Sequence, residues 1–374
     1  MKLKITNCEK DNENYSVEVL YLDENPIKFY PDGKGGQLGD RGNINGTKVL
    51  SVFPDKIIVD NYIEIGEYNY EIDFKRREDI AVQHTAEHLF SGIAKKYFGL
   101  SNVGFRMAED FTTVDLDSDT ISTETLENIV AKTNEVISIG AKILEKNITI
   151  EEAKNLSLRK PLSEKIKEGL VRIVEIENYD ICACAGFHTK NIKNILLLKL
   201  IFSERIKGKY TRCYLLAGDR AINDYNKKDM IIRKLNHKFS CRDNEILEML
   251  EKYMSEHETL KREYSNLSLK YSKYFLQEIL ESPIIINDKK IIICEDDKSI
   301  INEVRKSFGK RDETFIGITS DSIMFSSNNL DCNLIIKKII ENYPNIKGGG
   351  SPKQGNIKGS LSKNQIIEIL NSIL

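Results

Sequence analysis

Two pairs of residues in this sequence have the types and spacing of metal ligands. His84 and His88 form an H-x3-H pair, and Cys184 and His188 form a C-x3-H pair farther along the chain. A spacing of four places two side chains on one face of a helix, one turn apart, so both imidazoles can reach one ion. Three nitrogens and one sulfur are ligands that zinc prefers. The pairs predict a zinc site; the alternative is a chance helical spacing with Cys184 as a buried thiol.

A glycine-rich segment is the second candidate for chemistry. The stretch from Phe29 to Gly42, hereafter the glycine loop, has glycines at positions 33, 35, 36, 39 and 42. Because glycine lacks a Cβ, such a loop can bring its backbone close to a ligand. Gln37 and Asp40 lie among these glycines and are candidate functional side chains. A plain connecting loop is the alternative.

Hydrophobic patterning predicts the elements that carry these residues. Short β-branched and aromatic runs over residues 1–75 predict a small β-barrel. Asp79 is the predicted N-cap of a largely buried helix that contains the first histidine pair and ends at Gly99. Strands mixed with segregated helices predict the α+β class. The remaining predicted elements are strands over 111–116, 171–176, 194–202 and 210–217 and a helix over 123–137.

Length and composition limit the class of protein. The chain has 374 residues, of which 40% are hydrophobic and 30% charged, as expected of a globular protein. A net charge of -2 gives no overall basic signal, so any nucleic-acid surface must be local. No signal peptide or membrane-spanning stretch is recognisable, and the seven cysteines are scattered, which predicts reduced thiols and a cytoplasmic location.

From Ile246 the pattern changes to a heptad repeat. Apolar or aromatic residues recur at alternating steps of four and three as far as Tyr274, with His257 as the exception, and Pro283 ends the predicted helix. The seam predicts either a coiled-coil homodimer or a helical hairpin, and a packed or partner-bonded His257. A homodimer through the C-terminal domain is the alternative. The alternating strands and helices that follow predict a C-terminal α/β domain.

The C-terminal block contains a second glycine-rich segment, Gly348–Gly359. Six lysines stand against one acid between residues 337 and 363. Lysines among glycines beside a sheet suit contacts with phosphates. Lys347, Lys353 and Lys358 are therefore candidate nucleic-acid contacts, with a solvated loop as the alternative.

Five stretches, in this order along the chain, resemble motifs of the editing domain of alanyl-tRNA synthetase and its free-standing relatives, the AlaX-type alanyl-tRNA editing proteins. They are the glycine loop, Arg76-Arg77 with the first histidine pair, Asn102–Met107, the C-x3-H pair and Arg212–Ala221. The heptad helix and the Gly348 block resemble the synthetase's DHHA1-type domain.

The resemblance implies a division of the chain into four parts. Residues 1–75 would form the barrel with the glycine loop, and 76–225 a zinc-dependent editing domain with an antiparallel sheet. Residues 226–282 would be a helical linker or coiled coil, and 283–374 a DHHA1-like domain that binds tRNA through its lysines. No class II aminoacylation motif precedes residue 29, so an editor without a synthetase is expected.

The resemblance also implies a reaction. Such an editor, with Zn²⁺ as its cofactor, would hydrolyse the ester that joins a wrong amino acid, serine or alternatively glycine, to tRNA(Ala). Gln37 and Asn102 would orient water or the terminal adenosine. The candidates for the substrate pocket are Gly35, Gly36, Phe105 and Arg106.

The sequence departs from the family pattern at several positions. Ala185 and Phe187 replace the Gly and Thr of the usual C-G-G-T-H motif, and Arg106 stands where many relatives have His. The first two changes would alter the amino-acid pocket. The Gly348 block is looser than the family's glycine signature, which bears on tRNA contact.

Two other functions fit parts of the pattern. His84-x-x-Glu87-His88 also matches the H-x-x-E-H signature of inverzincin metallopeptidases, in which the glutamate is the general base. Those enzymes use a distal glutamate as the third ligand and need no C-x3-H pair. The other alternative is a non-catalytic tRNA-binding module, because four protein ligands normally mark a structural zinc site.

Overall fold

The short N-terminal runs close into a six-stranded barrel in the computed structural model, which describes residues 1–162 and 168–374. The strands are β1 (Lys2–Asp11), β2 (Asn14–Tyr21), β3 (Gly42–Ile44), β4 (Thr47–Val52), β5 (Ile57–Val59) and β6 (Gly66–Ile72). Their order is β1-β2-β5-β4-β3-β6, and each neighbouring pair is antiparallel. Leu3, Ile5, Val17 and Tyr70 fill the interior. The predicted barrel is confirmed.

The chain divides into two units, Met1–Lys234 and Leu235–Leu374, and each is described by itself. Besides the barrel, the N-terminal unit contains α1 (Phe74–Phe98), β7 (Asn102–Met107), β8 (Thr112–Leu116), α2 (Thr123–Ile139), β9 (Ile143–Thr149), α3 (Ile150–Lys154), β10 (Leu170–Ile176), β11 (Asp180–Ala183), β12 (Leu198–Ile206), β13 (Tyr210–Ala217) and most of α4 (Gly218–Phe239). No helix within the described residues is long and apolar enough to cross a membrane.

Two antiparallel sheets and two helices form the core of this unit. One sheet has the order β12-β13-β8-β7 and the other β11-β10-β9. The apolar faces of α1 and α2 pack with these strands in one core that includes Phe90, Ile93, Leu126 and Val114. The predicted α+β class with an antiparallel sheet is therefore confirmed.

Two details of the predicted elements are wrong. The helix begins at Phe74, and its N-cap is Asp73, whose carboxylate accepts from the Arg76 N–H at 3.0 Å. Asp79 lies inside the helix and forms an ion pair with Arg220 at 2.6 Å. The strand predicted over 194–202 begins only at Leu198, because residues 192–195 form a 3₁₀ turn.

After the end of α4, the C-terminal unit contains the long helix that the heptads predict. Its elements are α5 (Ile246–Glu281), β14 (Ile284–Ile286), β15 (Lys289–Glu295), α6 (Lys298–Ser307), β16 (Thr314–Ile318), β17 (Ser322–Ser326), α7 (Cys332–Asn342), β18 (Lys347–Gly350), β19 (Gln354–Lys358) and α8 (Lys363–Ile373). The six strands have the order β14-β15-β16-β17-β19-β18, and only β15 and β16 are parallel within this described sheet.

Both faces of this sheet are covered. Ile291 and Ile293 on β15 belong to the core formed with α7 and α8, whereas Ile292 and Cys294 belong to the core formed with α6 and the end of α5. This alternation is the two-residue period of a strand. The layered arrangement agrees with the predicted C-terminal α/β domain.

The heptad seam of α5 is largely exposed. Leu260, Leu267 and Tyr274 are 64%, 66% and 73% exposed. His257 is exposed as well and stacks on Tyr253 with ring centroids 6.5 Å apart, so the prediction of a packed histidine is wrong for the single chain. The homodimer stays a prediction.

Candidate metal centre

The first histidine pair lies in the buried middle of α1. Every residue from Ile80 to Ala94 is buried, and the ring centroids of His84 and His88 are 5.1 Å apart. A polar nitrogen in such a helix needs a partner, because an unpaired buried polar group costs roughly 1–3 kcal/mol. Each of these imidazoles therefore needs partners for both of its nitrogens.

The second pair lies in the segment Cys184–His188, hereafter the metal loop, which follows β11. Arg172 on β10 holds this loop, since its guanidinium donates to the carbonyl oxygens of Cys184 and Gly186, both at 2.8 Å. A Cβ on Gly186 would overlap the His84 ring and Gln37 Oε1. The loop can therefore approach α1 only because residue 186 is glycine.

The structure brings the two pairs together. One ligand atom from each of His84, His88, Cys184 and His188 lies within 4.8 Å of the other three. Cys184 Sγ is 3.5 Å from His84 Nε2 and 3.3 Å from His188 Nε2. Zn–N bonds of about 2.0 Å and a Zn–S bond of about 2.3 Å would separate tetrahedral nitrogen and sulfur ligands by about 3.5 Å. The spacing suits a zinc ion, and zinc binding itself stays a prediction.

Partners on the outer side of each imidazole give a second test of this fit. His84 Nδ1 lies 3.0 Å from Gln37 Oε1, and His88 Nδ1 lies 2.8 Å from Asp180 Oδ2. A carboxylate or an amide oxygen can only accept, so both Nδ1 atoms carry the proton. Both Nε2 atoms then keep a lone pair with which they would bind an ion, and this proton placement is typical of metal-bound histidines.

Thr85 positions His188 in the same way, by accepting a hydrogen bond from Nδ1. The Thr85 hydroxyl donates to the Ala81 carbonyl at 2.8 Å, so its oxygen is left as the acceptor for His188 Nδ1 at 3.2 Å. The same oxygen accepts from the Thr189 N–H at 3.0 Å. All three imidazoles are therefore set to bind a metal through Nε2.

The charges of the cluster match this assignment. Burial opposes ionisation of Cys184, but its contacts with the imidazoles of His188, His84 and His88 outweigh this effect and lower the pKa of the thiol to about 2. Burial, together with the charge of His88, lowers the pKa of His188 to about 3. Burial opposes protonation of His88 as well, but the bond to Asp180 raises its pKa well above the usual value. A metal ion would displace that proton, because a ligating imidazole must be neutral.

Asp180 connects the first histidine pair to a buried arginine. Its second oxygen accepts from Arg159 Nε at 2.6 Å, and both side chains are almost fully buried. Burial alone would raise the pKa of Asp180, but the bonds to His88 and Arg159 lower it. Asp180 is therefore a carboxylate that holds His88 on one side and Arg159 on the other.

A second buried carboxylate lies beside His88. Glu87 Oε1 accepts from Ser91 Oγ at 2.7 Å and from Asn102 Nδ2 at 2.5 Å. Burial would raise the pKa of Glu87, but the charge of Arg159, 3.8 Å away, lowers it. Asn102 also accepts from Lys160 Nζ at 3.0 Å, so its amide is committed to this network.

The predicted substrate-pocket residues do not all face the candidate ligands. Phe105 stacks on the His84 ring at 5.2 Å, and a Cβ on Gly36 would lie 2.7 Å from the Phe105 ring. Gly35 lies near the Tyr30 hydroxyl, which would be 3.6 Å from a Cβ at that position. Arg106 follows Phe105 in β7 and is exposed, and its side chain leaves the opposite face of the strand. Its assignment to the pocket stays a prediction.

A cleft of about 520 Å³ reaches the metal loop from outside. Its wall includes Phe187, His188 and the basic residues Arg77, Arg172 and Lys190. His84 and His88 are buried, whereas Cys184 and His188 are only partly buried. Access to the ligand cluster is therefore from the side of the metal loop.

The three candidate lysines lie in one β-hairpin of the C-terminal unit. Lys347 on β18 and Lys358 on β19 are opposite each other, and Lys353 lies in the turn between these strands. All three side chains are exposed. Their role in binding tRNA stays a prediction.

Several residues that hold the ligands were not among the predicted site residues, namely Thr85, Asp180 and Arg159. Only Asp180 has a recognisable signal, because it is an acid four residues before a predicted cysteine ligand, and carboxylates often accept from metal-bound imidazoles. Thr85 and Arg159 have no comparable signal.

Part of the N-terminal unit matches a known domain family. Residues 171–220 match the family described as the Threonyl and Alanyl tRNA synthetase second additional domain. This range contains the metal loop, β10 except its first residue, and the strands β11 to β13.

Similar proteins are found among editing proteins and synthetases. The chain is 25% identical over 260 residues to the alanyl-tRNA editing protein Aarsd1 of Bos taurus, covering 68% of this chain and 58% of that protein. It is 29% identical over 226 residues to Aarsd1-A of Xenopus laevis, covering 59% and 54%. It is 25% identical over 366 residues to the alanine–tRNA ligase of Methanobrevibacter smithii, covering 91% and 40%. The chain thus spans little more than half the length of the two editing proteins.

These similarities confirm that the sequence resembles alanyl-tRNA editing proteins, as its motifs predict. The likeness of the C-terminal unit to a DHHA1-type domain stays a prediction.

Proposed function

We propose that this chain, which resembles alanyl-tRNA editing proteins, hydrolyses the ester that joins a wrong amino acid to the 3′ end of tRNA(Ala). Ser-tRNA(Ala) is the expected substrate, and Gly-tRNA(Ala) is the alternative. The observation that carries the proposal is the grouping of three imidazole nitrogens and one cysteine sulfur within 4.8 Å of one another. The matched domain and the named relatives support it.

The donor set fits zinc, and the chain supplies the geometry. Zinc held by these four side chains would polarise the ester carbonyl and acidify water. Gln37 and Asp180 hold the buried imidazoles of His84 and His88 from behind, so these two ligands keep their orientation. Four protein ligands leave no open tetrahedral position, so substrate or water needs a fifth position or a loosened ligand. His188 is our candidate for the loosened ligand, because it is partly buried and borders the cleft.

The cleft beside the metal loop is our proposed site for the aminoacylated end of the tRNA. Its volume of about 520 Å³ is typical of a small-ligand pocket. Lys190 is an exposed cation suited to a phosphate, and Phe187 adds apolar surface to the wall, with its ring packed against Arg77 and Tyr30. Arg77 and Arg172 border the same cleft but are paired with Asp40 and Glu145.

Selection of serine over alanine requires a polar partner for the hydroxyl group. A site built to bond that hydroxyl leaves a buried polar group unpaired when alanine enters, whereas an apolar pocket discriminates poorly. Asn102 is less suited to this role than the sequence suggests, because its amide is bonded to Glu87, Ser91 and Lys160. We therefore propose that Asn102 supports the site and does not itself bind substrate.

We propose that the C-terminal hairpin contributes to tRNA binding through Lys347, Lys353 and Lys358. Their exposure on one hairpin, with glycines between them, supports contact with a phosphate backbone.

The peptidase alternative is weakened by the ligand set. An inverzincin needs a glutamate as its third ligand, whereas the group that the described residues bring together contains Cys184 and His188. Glu87 Oε2 does lie 3.9 Å from His88 Nε2, close enough to keep a general-base role testable. A deacylation assay distinguishes the editor from the non-catalytic tRNA-binding module.

The test is a deacylation assay with the full chain and three substrates, Ser-tRNA(Ala), Gly-tRNA(Ala) and Ala-tRNA(Ala). The proposal predicts hydrolysis of the serine ester, with the alanine ester spared. Binding of all three tRNAs without hydrolysis of any would reject the enzyme and support the binding module.

A further inference from the structure

Gln37 is the only residue of the glycine loop whose side chain forms a hydrogen bond with a ligand of the candidate metal centre within the described residues. Its carbonyl oxygen accepts from His84 Nδ1 at 3.0 Å and from the backbone N–H of Phe187 at 2.9 Å. The side chain is 1% exposed. An amide oxygen has two lone pairs, so both are already in use.

We propose that Gln37 is a positioning residue, through which the barrel sets the metal-binding form of His84 and the position of the metal loop. The bond to Nδ1 keeps the proton on that atom, so Nε2 is free for the ion. The bond to Phe187 fixes the metal loop between its two ligands. One oxygen thus connects His84 on α1 to the metal loop, which carries the ligands Cys184 and His188. This replaces the predicted role of Gln37 in orienting water or adenosine.

The glycine loop is held firmly enough for this task. Asp40 is fully buried, accepts from the Tyr30 N–H at 2.7 Å and pairs with Arg77 of α1. Arg76 Nε donates to the Gly39 carbonyl at 3.1 Å. Both arginines lie on the helix that carries His84, so the loop and the histidine share one rigid support.

Contacts on the other side tie the glycine loop to the metal loop. The Tyr30 ring lies 4.7 Å from the Phe187 ring, and its hydroxyl donates to the Ala185 carbonyl at 3.3 Å. A Cβ on Gly186 would overlap both His84 and Gln37 Oε1, so this junction has no spare room. The alternative is a purely structural role, in which the Gln37 side chain fills space and adds to the stability of the fold.

The inference rests on the metal part of the proposed function and not on the substrate, so its test measures zinc affinity. Gln37→Leu keeps the shape but removes the acceptor, and Gln37→Glu keeps an acceptor for both donors. Competition with a chelator should show zinc bound about 10–100-fold more weakly by the leucine variant, as is typical when the partner of a metal-bound histidine is lost. The glutamate variant should retain most of the affinity.

A tautomer measurement separates positioning from stability. In ¹⁵N-histidine spectra of the zinc-loaded chain, the Nδ1 proton of His84 should exchange slowly with solvent in wild type and faster in Gln37→Leu. Gln277→Leu, the same change at an exposed position of α5, is the control and should bind zinc like wild type. Equal zinc affinity for wild type and Gln37→Leu would overturn the inference, and so would equal losses for Gln37→Leu and Gln37→Glu. A wild-type chain that does not bind zinc would overturn the metal assignment itself. The wild-type measurement alone reveals that outcome, so it is distinguishable from failure of the inference about Gln37.

Discussion

Replacing Asp180 by asparagine should weaken zinc binding by acting on the protonation of His88. The carboxylate accepts two hydrogen bonds, from His88 Nδ1 at 2.8 Å and from Arg159 Nε at 2.6 Å. An asparagine has one accepting oxygen, and its NH₂ group must face the other donor. Arg159 is charged and buried, so it should take the oxygen. The NH₂ group then faces His88 Nδ1 and favours a proton on Nε2, the atom that would bind the ion.

The size of the effect follows from this geometry. Loss of such a partner typically costs 10–100-fold in metal affinity, which corresponds to about 1.4–2.7 kcal/mol. Zinc affinity would be measured by chelator competition, with urea unfolding of the metal-free chain as a check on the fold. Asp224→Asn removes an ion-paired carboxylate of α4 that is bonded to Lys199 and Lys228, and should change affinity by no more than about twofold. Unchanged zinc affinity in Asp180→Asn would refute the proposed control of the His88 tautomer.

Three further perturbations test other parts of the proposal. His84→Ala and Cys184→Ala should each abolish zinc content and deacylation together, and a metal assay that finds full zinc after either change would count against the ligand set. Glu87→Gln should keep deacylation within about tenfold of wild type, whereas loss of a general base would cost about 10²–10⁴-fold and would favour the peptidase. Changing Lys347, Lys353 and Lys358 together to glutamine should weaken tRNA binding and make its salt dependence shallower by about one per lost phosphate contact. The same change at Lys261, Lys270 and Lys273 of α5 is the control, and equal effects from both triples would contradict a specific role for the hairpin.

The ligand residues were predictable because their geometry is local. A spacing of four on an apolar helix places His84 and His88 on one face wherever the helix lies. Ligand chemistry then indicated that Cys184 and His188 belong with them, and the structure brings the four together. The barrel followed from equally local strand patterns.

The partners of the ligands were not predictable, because they depend on how distant segments pack. Thr85 accepts from His188 only because the metal loop lies against α1. The glycines around Gln37 indicate a functional side chain, yet its role depends on His84 and Phe187, which are remote in sequence. Sequence alone suggests that such a residue has a function but not which atoms it contacts.

The start of α1 and the exposure of the heptad seam on α5 also depend on packing that the local sequence does not reveal. Asp73 and Asp79 are both acceptable N-caps, and the earlier one is used because Arg76 and Arg77, just after it, are held by the glycine loop. The heptads of α5 correctly predicted a helix, whereas a coiled-coil partner is a property of an assembly and not of one chain.

X-ray absorption at the zinc edge of the purified full chain would identify the atoms bound to the ion. We expect one zinc per chain with three nitrogen ligands at about 2.0 Å and one sulfur ligand at about 2.3 Å. A chain that takes up no zinc, or a zinc shell without sulfur, would refute the proposed metal centre.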